Sequence, residues 1–512
     1  MVLLLTNKDI NIMDNLEFNL LIKRINSNNC PKKLLLQGKK LNLNQIKKLA
    51  DCLEDNSKLI SLNLGNKGID PIGLKYLVQR LKYNKTLISL DLRNNNIESS
   101  TAKYIADLLI CNTPLQTLYL LHNEIAGKGM QLITNALKHN YNMKALYLND
   151  NKLQNNDFFL IAEMLKINKT LQELSLANNN INTRDICPIF TVLKNNISLK
   201  YFDLSDNNID LAGIKHLAHL LKNNSSLEHL IISNNNIVDC SIDHIFQALT
   251  ENYSLKTLDI SSNQITDIGA ESISYKLNST LMVLNLSSNN ITAYGSKKIA
   301  QALIKNNSLH TLYLNKNKIE SLGAQHIVNS SYKLVSLSLG ENNIDISGIQ
   351  SIAHMILANK TIRYLDLWGN NIGAAGIKYI ANALKNNNTL QTLILGNNKI
   401  RDLGVSYIAK ALQINKSLLF LDIRSNEIRY QGVKKLKIAL MLNKALCVLN
   451  LGNNYITNSG IKKLIWGLKF NDSLQILYLQ QNKTTNTARN ISKFINKKIY
   501  HKLTDLIHVD NI

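Results

Sequence analysis

One short segment recurs along almost the whole chain, and its spacing restricts the fold more than any other feature. It is clearest at residues 365–372, where the sequence reads Leu-Asp-Leu-Trp-Gly-Asn-Asn-Ile, or L-x-L-x-x-N-x-I. Fifteen copies carry the asparagine, and two earlier copies carry Lys39 and Lys67 in its place, which gives 17 units. Neighbouring units are 28 residues apart, except for one step of 26 and one of 25. Such a period predicts one solenoid, in which each unit packs against its neighbours.

Each unit is expected to contain a short strand, a bend and a helix. Around Leu90 and Leu92 the apolar residues alternate with polar ones, which predicts a strand at Leu90–Leu92. Asn95 follows at the bend, where its amide can both donate and accept hydrogen bonds, so stacked asparagines would form a ladder. Eleven units carry glycine six residues later, either for an unusual turn or for close packing of the helix. Apolar residues then recur at helical spacing, as in Ile380 and Leu384.

A second asparagine lies 17 residues after the ladder position in 14 units. It falls where each helix should end. Asparagine tolerates the left-handed backbone conformation that often terminates helices, so we expect that conformation there.

The chain ends are expected to cover the open faces of the solenoid. We predict an N-terminal capping segment over residues 1–30, with Leu16, Leu20 and Leu21 at helical spacing. The repeats occupy residues 31–484, and residues 485–512 form a C-terminal capping segment with a helix over 490–507.

The 28-residue step, the asparagine bend and the helical motif I-A-x-A-L, as at residues 380–384, resemble the leucine-rich repeats of the ribonuclease-inhibitor type. Similar repeats occur in NOD-like receptors, in Ran GTPase-activating proteins and in stand-alone proteins of bacteria that live in host cells. The resemblance covers residues 31–484. It implies an α/β leucine-rich repeat solenoid shaped as a horseshoe, with a parallel β-sheet on the concave face and α-helices on the convex face.

Several function classes have no support in the sequence. The chain has no H-E-x-x-H, no G-x-S-x-G and no P-loop. Its six cysteines fall at unrelated phases of the repeat without C-x-x-C spacing, which favours free thiols in a reducing compartment over a zinc site. The apolar segment at the N-terminus is too short for the core of a signal peptide, and no apolar run is nearly long enough to span a membrane. We therefore expect a monomeric, non-enzymatic protein without a cofactor or metal, located in the cytoplasm of its own cell or of a host.

The exposed strand positions are predicted six, four, two and one residues before each ladder position. Across the 17 units they hold four basic and nine acidic residues, a net charge of −5 within a chain of formal charge +23. Aromatic residues share these positions, and such residues often anchor protein interfaces. The residues predicted to bind a partner are Tyr119, Tyr147, Tyr201, Asp203, Tyr313, Tyr364, Asp366, Trp368, Phe420, Asp422, Arg424 and Tyr478.

These features favour a scaffold that binds a protein with a basic patch through the sheet. Nucleic acid is the less favoured partner, since no binding motif accompanies the basic residues. Two alternatives stay open at this point. One is a regulator similar to the Ran GTPase-activating proteins. The other is a binder of polyanions or anionic membrane surfaces, because residues 429–512 hold 14 basic and three acidic residues.

Overall fold

The structure is a computed structural model that describes residues 2–4, 15–27, 29–36 and 40–483. The chain divides into two compact units. The first comprises Met1–Ile237 with His244–Asp259, and the second Val238–Asp243 with Ile260–Ile512. Both units alternate strands and helices, so the predicted α/β solenoid architecture is confirmed in each.

The first unit contains ten described strands and eight complete helices. Its strands, β1 to β10, are Val2–Leu4, Lys33–Leu35, Ser61–Asn63, Ser89–Asp91, Thr117–Tyr119, Ala145–Tyr147, Glu173–Ser175, Tyr201–Asp203, His229–Ile231 and Thr257–Asp259. Its helices, α1 to α8, are Asn15–Asn26, Leu43–Glu54, Pro71–Leu81, Ala102–Ile110, Lys128–Lys138, Asn155–Ile167, Thr183–Leu193 and Leu211–Asn223. Helix α9 (Asp239–Leu249) gives residues 239–243 to the second unit and the rest to the first.

The second unit continues the same alternation in its described part. Its strands, β11 to β18, are Val283–Asn285, Thr311–Tyr313, Ser336–Ser338, Tyr364–Asp366, Thr392–Ile394, Phe420–Asp422, Val448–Asn450 and Ile476–Tyr478. Its helices, α10 to α17, are Asp267–Lys276, Ala293–Lys305, Glu320–Asn329, Ile346–Ala358, Gly373–Asn386, Arg401–Leu412, Tyr430–Leu442 and Asn458–Leu468.

Strands pair in parallel with the same repeat positions opposite one another, and successive strands are joined by crossovers that each contain a helix. Leu90 lies opposite Leu118 in the first unit, and Leu365 opposite Leu393 in the second. The strand predicted at Leu90–Leu92 begins and ends one residue earlier, at Ser89–Asp91.

The ladder position forms the hydrogen-bonded series that the motif predicts. The Nδ2 of Asn95 donates to the carbonyl oxygens of Leu64 and Leu92, at 2.9 and 3.0 Å. Its Oδ1 accepts the backbone N–H groups of Lys67 and Ile69, both at 3.1 Å. The amide therefore closes its own bend and joins it to the preceding coil, which leaves few backbone groups unpaired at a buried turn.

The second asparagine works differently from the prediction. Asn168 is extended, with φ −68° and ψ 128°, and Asn112 alone of the 14, all of which are described, has a left-handed backbone. The Oδ1 of Asn168 accepts the N–H groups of Thr170 and Leu171, and its Nδ2 donates to the carbonyl of Leu137 at 2.7 Å. The expectation of a left-handed cap is thus wrong, because the side chain rather than the backbone satisfies the helix end of the preceding coil.

Helices cover the other side of the strands with a buried apolar stripe. Ile380 and Leu384 of α14 are fully buried, as the spacing predicts. In the units that carry it, the glycine near the helix start allows close packing rather than an unusual turn, since its backbone has no positive φ. A Cβ on Gly404 would lie 2.4 Å from Cγ2 of Ile400 and 3.3 Å from Cα of Ala374 in the preceding helix.

The N-terminal segment contains helix α1, whose buried side chains are Phe18, Leu21 and Ile25. Leu16 and Leu20 are exposed, so the expected apolar stripe is wrong at these two positions. The observed stripe follows the i, i+3, i+7 spacing instead. A capping role for residues 1–30 stays a prediction.

The predicted C-terminal helix over 490–507 and the capping segment 485–512 lie outside the described residues. Among the described helices, none combines the length and the apolar character needed to cross a bilayer.

Candidate interaction surface on the sheet

The surface opposite the helices is formed by the side chains six, four, two and one residues before each ladder position, and we call it the sheet face. In the unit of Asn95, the intervening Leu90 and Leu92 are fully buried, whereas Ser89 and Arg93 are partly exposed. Alternation along a strand therefore separates core residues from candidate binding residues.

In the first unit, an aromatic and charged strip crosses β4, β5 and β6. The rings of Tyr119 and Tyr147 stack with 4.6 Å between centroids and 10° between planes. The guanidinium of Arg93 lies 5.5 Å from the ring centroid of Tyr119, and its Nη2 is 2.8 Å from Oδ2 of Asp91. Each side chain holds its neighbour, so the strip is ordered before any partner arrives.

The strip continues into an acidic region at β7 and β8. The hydroxyl of Tyr147 donates to the carboxylate of Glu173, which lies opposite Tyr201 in the strand register. Burial, and then the hydrogen bond with Glu173, raise the pKa of Tyr147. The phenol is therefore neutral and remains a donor at neutral pH.

Tyr201 stands at the centre of this acidic region. Burial raises its pKa to about 12, and the carboxylates of Asp203, Glu173 and Asp259 add to the rise in that order. On its other side, the ring of His229 lies 6.3 Å away, centroid to centroid. Three carboxylates thus surround a half-buried phenol that can pack against a partner.

In the second unit, Trp368 spans two coils. A Cβ on Gly396 would lie 1.9 Å from Cζ3 of Trp368, so the indole covers the backbone of the next coil at a position where other side chains would clash. Beyond it, the guanidinium of Arg424 lies 4.6 Å from the ring centroid, which is cation–π geometry. The structure therefore brings Trp368 and Arg424 into contact.

Asp366 and Asp422, expected to be exposed, are buried, with 8% and 3% of their surface accessible. Each Oδ1 accepts the backbone N–H two residues later, from Trp368 and Arg424 respectively, at 2.9 Å. The Nε of Arg424 also lies 3.1 Å from Oδ2 of Asp422. Burial raises the pKa of both carboxyl groups. These aspartates close the strand-to-bend turn, and their exposure was predicted wrongly.

A sequence signal for this turn existed. Asn63, Asn285 and Asn450 occupy the same repeat position and accept the same backbone N–H with Oδ1. Asp and Asn share this capability, so their interchange at one repeat position indicates a structural acceptor.

The remaining predicted residues lie along the sheet face of the first or of the second unit. Those that are half-buried, where exposed side chains were expected, are Tyr119, Tyr147, Tyr201, Asp203, Tyr313, Tyr364, Trp368, Phe420 and Tyr478. Arg424 is exposed. Asn315 was not predicted, yet its Oδ1 accepts the N–H of Gly340 at 2.7 Å and its Nδ2 lies 3.4 Å from Oδ2 of Asp366.

The acidic character of the sheet face holds for the first unit only. In the second unit Asp366 and Asp422 are buried, and Glu341 lies 3.7 Å from Lys316. Among the described residues, no group of three or more His, Cys, Asp or Glu side chains is arranged to hold a metal ion.

Sequence profiles give the family of the chain. The profile described as Leucine Rich repeat matches nine segments, at residues 83–106, 111–133, 195–218, 251–274, 277–300, 305–328, 358–381, 386–409 and 415–437. The chain is a leucine-rich repeat protein. No curated protein sequence matches it.

Solved structures of other leucine-rich repeat proteins resemble this chain at low identity. An internalin, InlF, from Listeria monocytogenes is 24% identical, with 64% of this chain and 84% of that one covered and a TM-score of 0.39. TLR13 in complex with ssRNA13 is 19% identical over 91% of this chain and 64% of that one, with a TM-score of 0.41. A chain of the yeast Rad7–Elc1 complex is 15% identical over 65% and 80%, with a TM-score of 0.45.

Proposed function

We propose that this leucine-rich repeat protein is a non-enzymatic scaffold that binds a protein partner through the sheet face. The observation that carries the proposal is the ordered row of half-buried aromatic side chains, above all the stacked Tyr119 and Tyr147. Aromatic side chains fixed in place lose little conformational freedom on binding, which makes them effective anchors.

The first unit supports a partner with a basic patch. Glu173, Asp203 and Asp259 surround Tyr201, and Asp206 is exposed nearby along the same strand end. Carboxylates around a phenol attract lysine and arginine and leave an apolar surface for their methylene groups. In the second unit a separate candidate anchor is Trp368, whose ring lies 4.6 Å from the guanidinium of Arg424.

We also propose the ribonuclease-inhibitor-like subtype for the repeats. The support is the regular 28-residue step, with a helix in every coil from α2 to α17. Six free cysteines support a reducing compartment such as the cytoplasm.

An affinity pull-down from cell lysate tests the proposed surface. We would compare the wild-type chain with two sheet-face variants that fold normally by circular dichroism. One carries Tyr147→Ala, Glu173→Gln and Tyr201→Ala, and the other carries Tyr364→Ala, Trp368→Ala and Phe420→Ala. A helix-face variant with Lys378→Gln and Lys385→Gln serves as the matched control.

We expect a protein that the wild-type chain captures to be lost with at least one sheet-face variant and kept by the control. Capture that is unchanged in both sheet-face variants would refute the proposed surface. If the captured protein is a small GTPase and the chain accelerates its hydrolysis, the regulator alternative replaces the simple scaffold.

A further inference from the structure

The outer surface of the last two described helices carries an unusual pair of side-chain stripes. On α16 the stripe is Lys434, Ile438 and Leu442, four residues apart. On α17 the equivalent stripe is Lys462, Trp466 and Phe470, in which Phe470 follows the helix end. Residues four apart lie on one side of a helix, so each stripe has a lysine at one end and two large apolar side chains beside it.

The apolar members of both stripes are exposed. Ile438 and Leu442 keep 44% and 55% of their surface accessible, and Trp466 and Phe470 keep 42% and 51%. They occupy matching repeat positions on neighbouring helices, and packed helices lie about 8–10 Å apart. The four side chains therefore form one patch, which we call the helix-face patch.

Contacts between the two helices hold this patch together. A Cβ on Gly467 would lie 2.8 Å from the carbonyl oxygen of Lys437, so glycine permits the close approach of α17 to α16. The ammonium of Lys437 lies 3.7 Å from the ring centroid of Trp466, and the rings of Trp466 and Phe470 are 5.1 Å apart. At the edge, Nζ of Lys444 donates to the carbonyl of Phe470 at 3.0 Å.

An earlier helix of the same unit, α14, shows that the fold does not require these residues. The same stripe on α14 is Lys378, Asn382 and Asn386, which is polar apart from its lysine stem. Two asparagines thus occupy the same repeat positions in a helix that still forms, so a coil does not need the large apolar side chains of α16 and α17.

The patch lies in a strongly basic environment. Residues 429–483 contain nine lysines and arginines and a single acidic residue, Asp472. Helices α16 and α17 themselves carry five lysines and no acidic residue, and four of these lysines are exposed. Any partner of this surface has to supply negative charge and accept apolar side chains.

We propose that the helix-face patch binds the surface of an anionic phospholipid bilayer. Lysines are attracted to acidic headgroups, whereas Trp, Phe and aliphatic side chains enter the boundary between headgroups and acyl chains. A nucleic acid would attract the lysines equally well but offers nothing to Ile438 and Leu442. The site is separate from the sheet face and does not depend on the proposed protein partner.

Vesicle binding of the full chain tests this proposal. The chain has two tryptophans, so the change Trp368→Phe leaves Trp466 as the only indole reporter. We expect its emission to shift to the blue with vesicles of mixed phosphatidylcholine and phosphatidylserine, but not with phosphatidylcholine alone. High salt should weaken the binding, because it screens exposed charges.

Matched variants separate the patch from overall charge. Lys462→Gln with Lys463→Gln should lower the vesicle affinity about tenfold or more, since each lysine near an anionic surface contributes substantially. Lys378→Gln with Lys385→Gln on α14 removes the same charge and should have less effect. Trp466→Asn with Phe470→Asn, which copies Asn382 and Asn386, should abolish co-sedimentation while the circular dichroism spectrum stays unchanged.

Four results would each overturn the proposal. The first two are equal binding to both kinds of vesicle and equal losses of affinity in the two lysine variants. The third is unchanged binding after the Asn substitutions. The fourth is that single-stranded RNA displaces the vesicles and binds the chain and its variants more tightly than the vesicles do. An indole that is already shielded from aqueous quenchers without vesicles would indicate cover by another segment and would likewise refute a free lipid-binding surface.

Discussion

Lys67 is a buried lysine in the place that asparagine occupies in later coils, and its replacement should stabilise the protein. Its side chain is 1% accessible. Its backbone N–H donates to Oδ1 of Asn95, and its carbonyl accepts the N–H of Leu41 at 3.0 Å. We expect Lys67→Met to remove the cost of burying an ammonium group, and Lys67→Asn to add the amide hydrogen bonds of the ladder.

The magnitude follows from the pKa. Burial lowers the pKa of Lys67 from 10.5 to about 8. The protonated form is therefore disfavoured in the folded state, by about 3 kcal/mol for a shift of this size. Because the folded pKa is the lower one, the favourable contribution is complete above pH 10.5 and is lost as the pH falls through 8. Lys67→Met should therefore be about 3 kcal/mol more stable than wild type at pH 7 and lose this advantage between pH 8 and 10.5.

Urea unfolding followed by far-UV circular dichroism, repeated across this pH range, measures the difference. Lys75→Met is the matched control, because Lys75 is exposed on the following helix and its loss removes the same charge without relieving burial. Its difference from wild type should be small and nearly independent of pH, as expected for exposed charges.

The reasoning is refuted if Lys67→Met and Lys75→Met change the free energy of unfolding alike, or if the advantage of Lys67→Met persists unchanged at high pH. Either outcome would mean that the ammonium of Lys67 is solvated in the folded state. If Lys67→Asn is destabilised while Lys67→Met is stabilised, only the expected ladder geometry of this coil is wrong.

Three further predictions concern the second unit. Asn426→Ala should cost about 3 kcal/mol, because it leaves buried backbone groups of the preceding coil unpaired; urea unfolding measures the loss, and a cost below about 1 kcal/mol would contradict the role of the ladder. Asp422→Asn, which copies Asn450, should keep the turn, while Asp422→Ala should cost about 1–3 kcal/mol. Because the folded pKa of Asp422 is raised, the Asn variant should gain on wild type as the pH rises through that pKa, and equal pH profiles would contradict this. Gly396→Ala should displace Trp368 and change its near-UV circular dichroism and fluorescence, whereas unchanged spectra would place the ring elsewhere.

Much of the fold could be predicted because it depends on interactions within one coil or between adjacent coils. The L-x-L segment and Asn95 specify the strand, the bend and the ladder through such local contacts. The helix-end asparagines were located correctly but explained wrongly. The side chain of Asn168 donates to the carbonyl of Leu137, 31 residues earlier. The residues around the helix end do not indicate which distant carbonyl this asparagine will bind.

The sheet face was harder to predict, because exposure there depends on the side chains of neighbouring coils. Alternation correctly separates Leu365 from its neighbours, yet it cannot show that the turn and Arg424 bury Asp422. Similarly, no single unit reveals that Gly396 leaves room for Trp368. Counting acidic residues at strand positions therefore overstated the accessible negative charge.

The direction of the ladder hydrogen bonds has a consequence for how such a chain can change its length. Oδ1 of Asn426 accepts from Asn398 and Ile400, and Nδ2 donates to Leu395, all in the coil before it. The asparagine side chain of a coil thus bonds to the backbone of the coil before it, and the backbone of the same coil bonds to the asparagine side chain of the coil after it. Recombination that adds or deletes one whole 28-residue block keeps every later residue at the same repeat position and restores this connection, whereas an insertion or deletion of another length within the strand and bend would not. Duplication of complete coils is therefore the route by which this gene can grow without an intermediate that fails to fold.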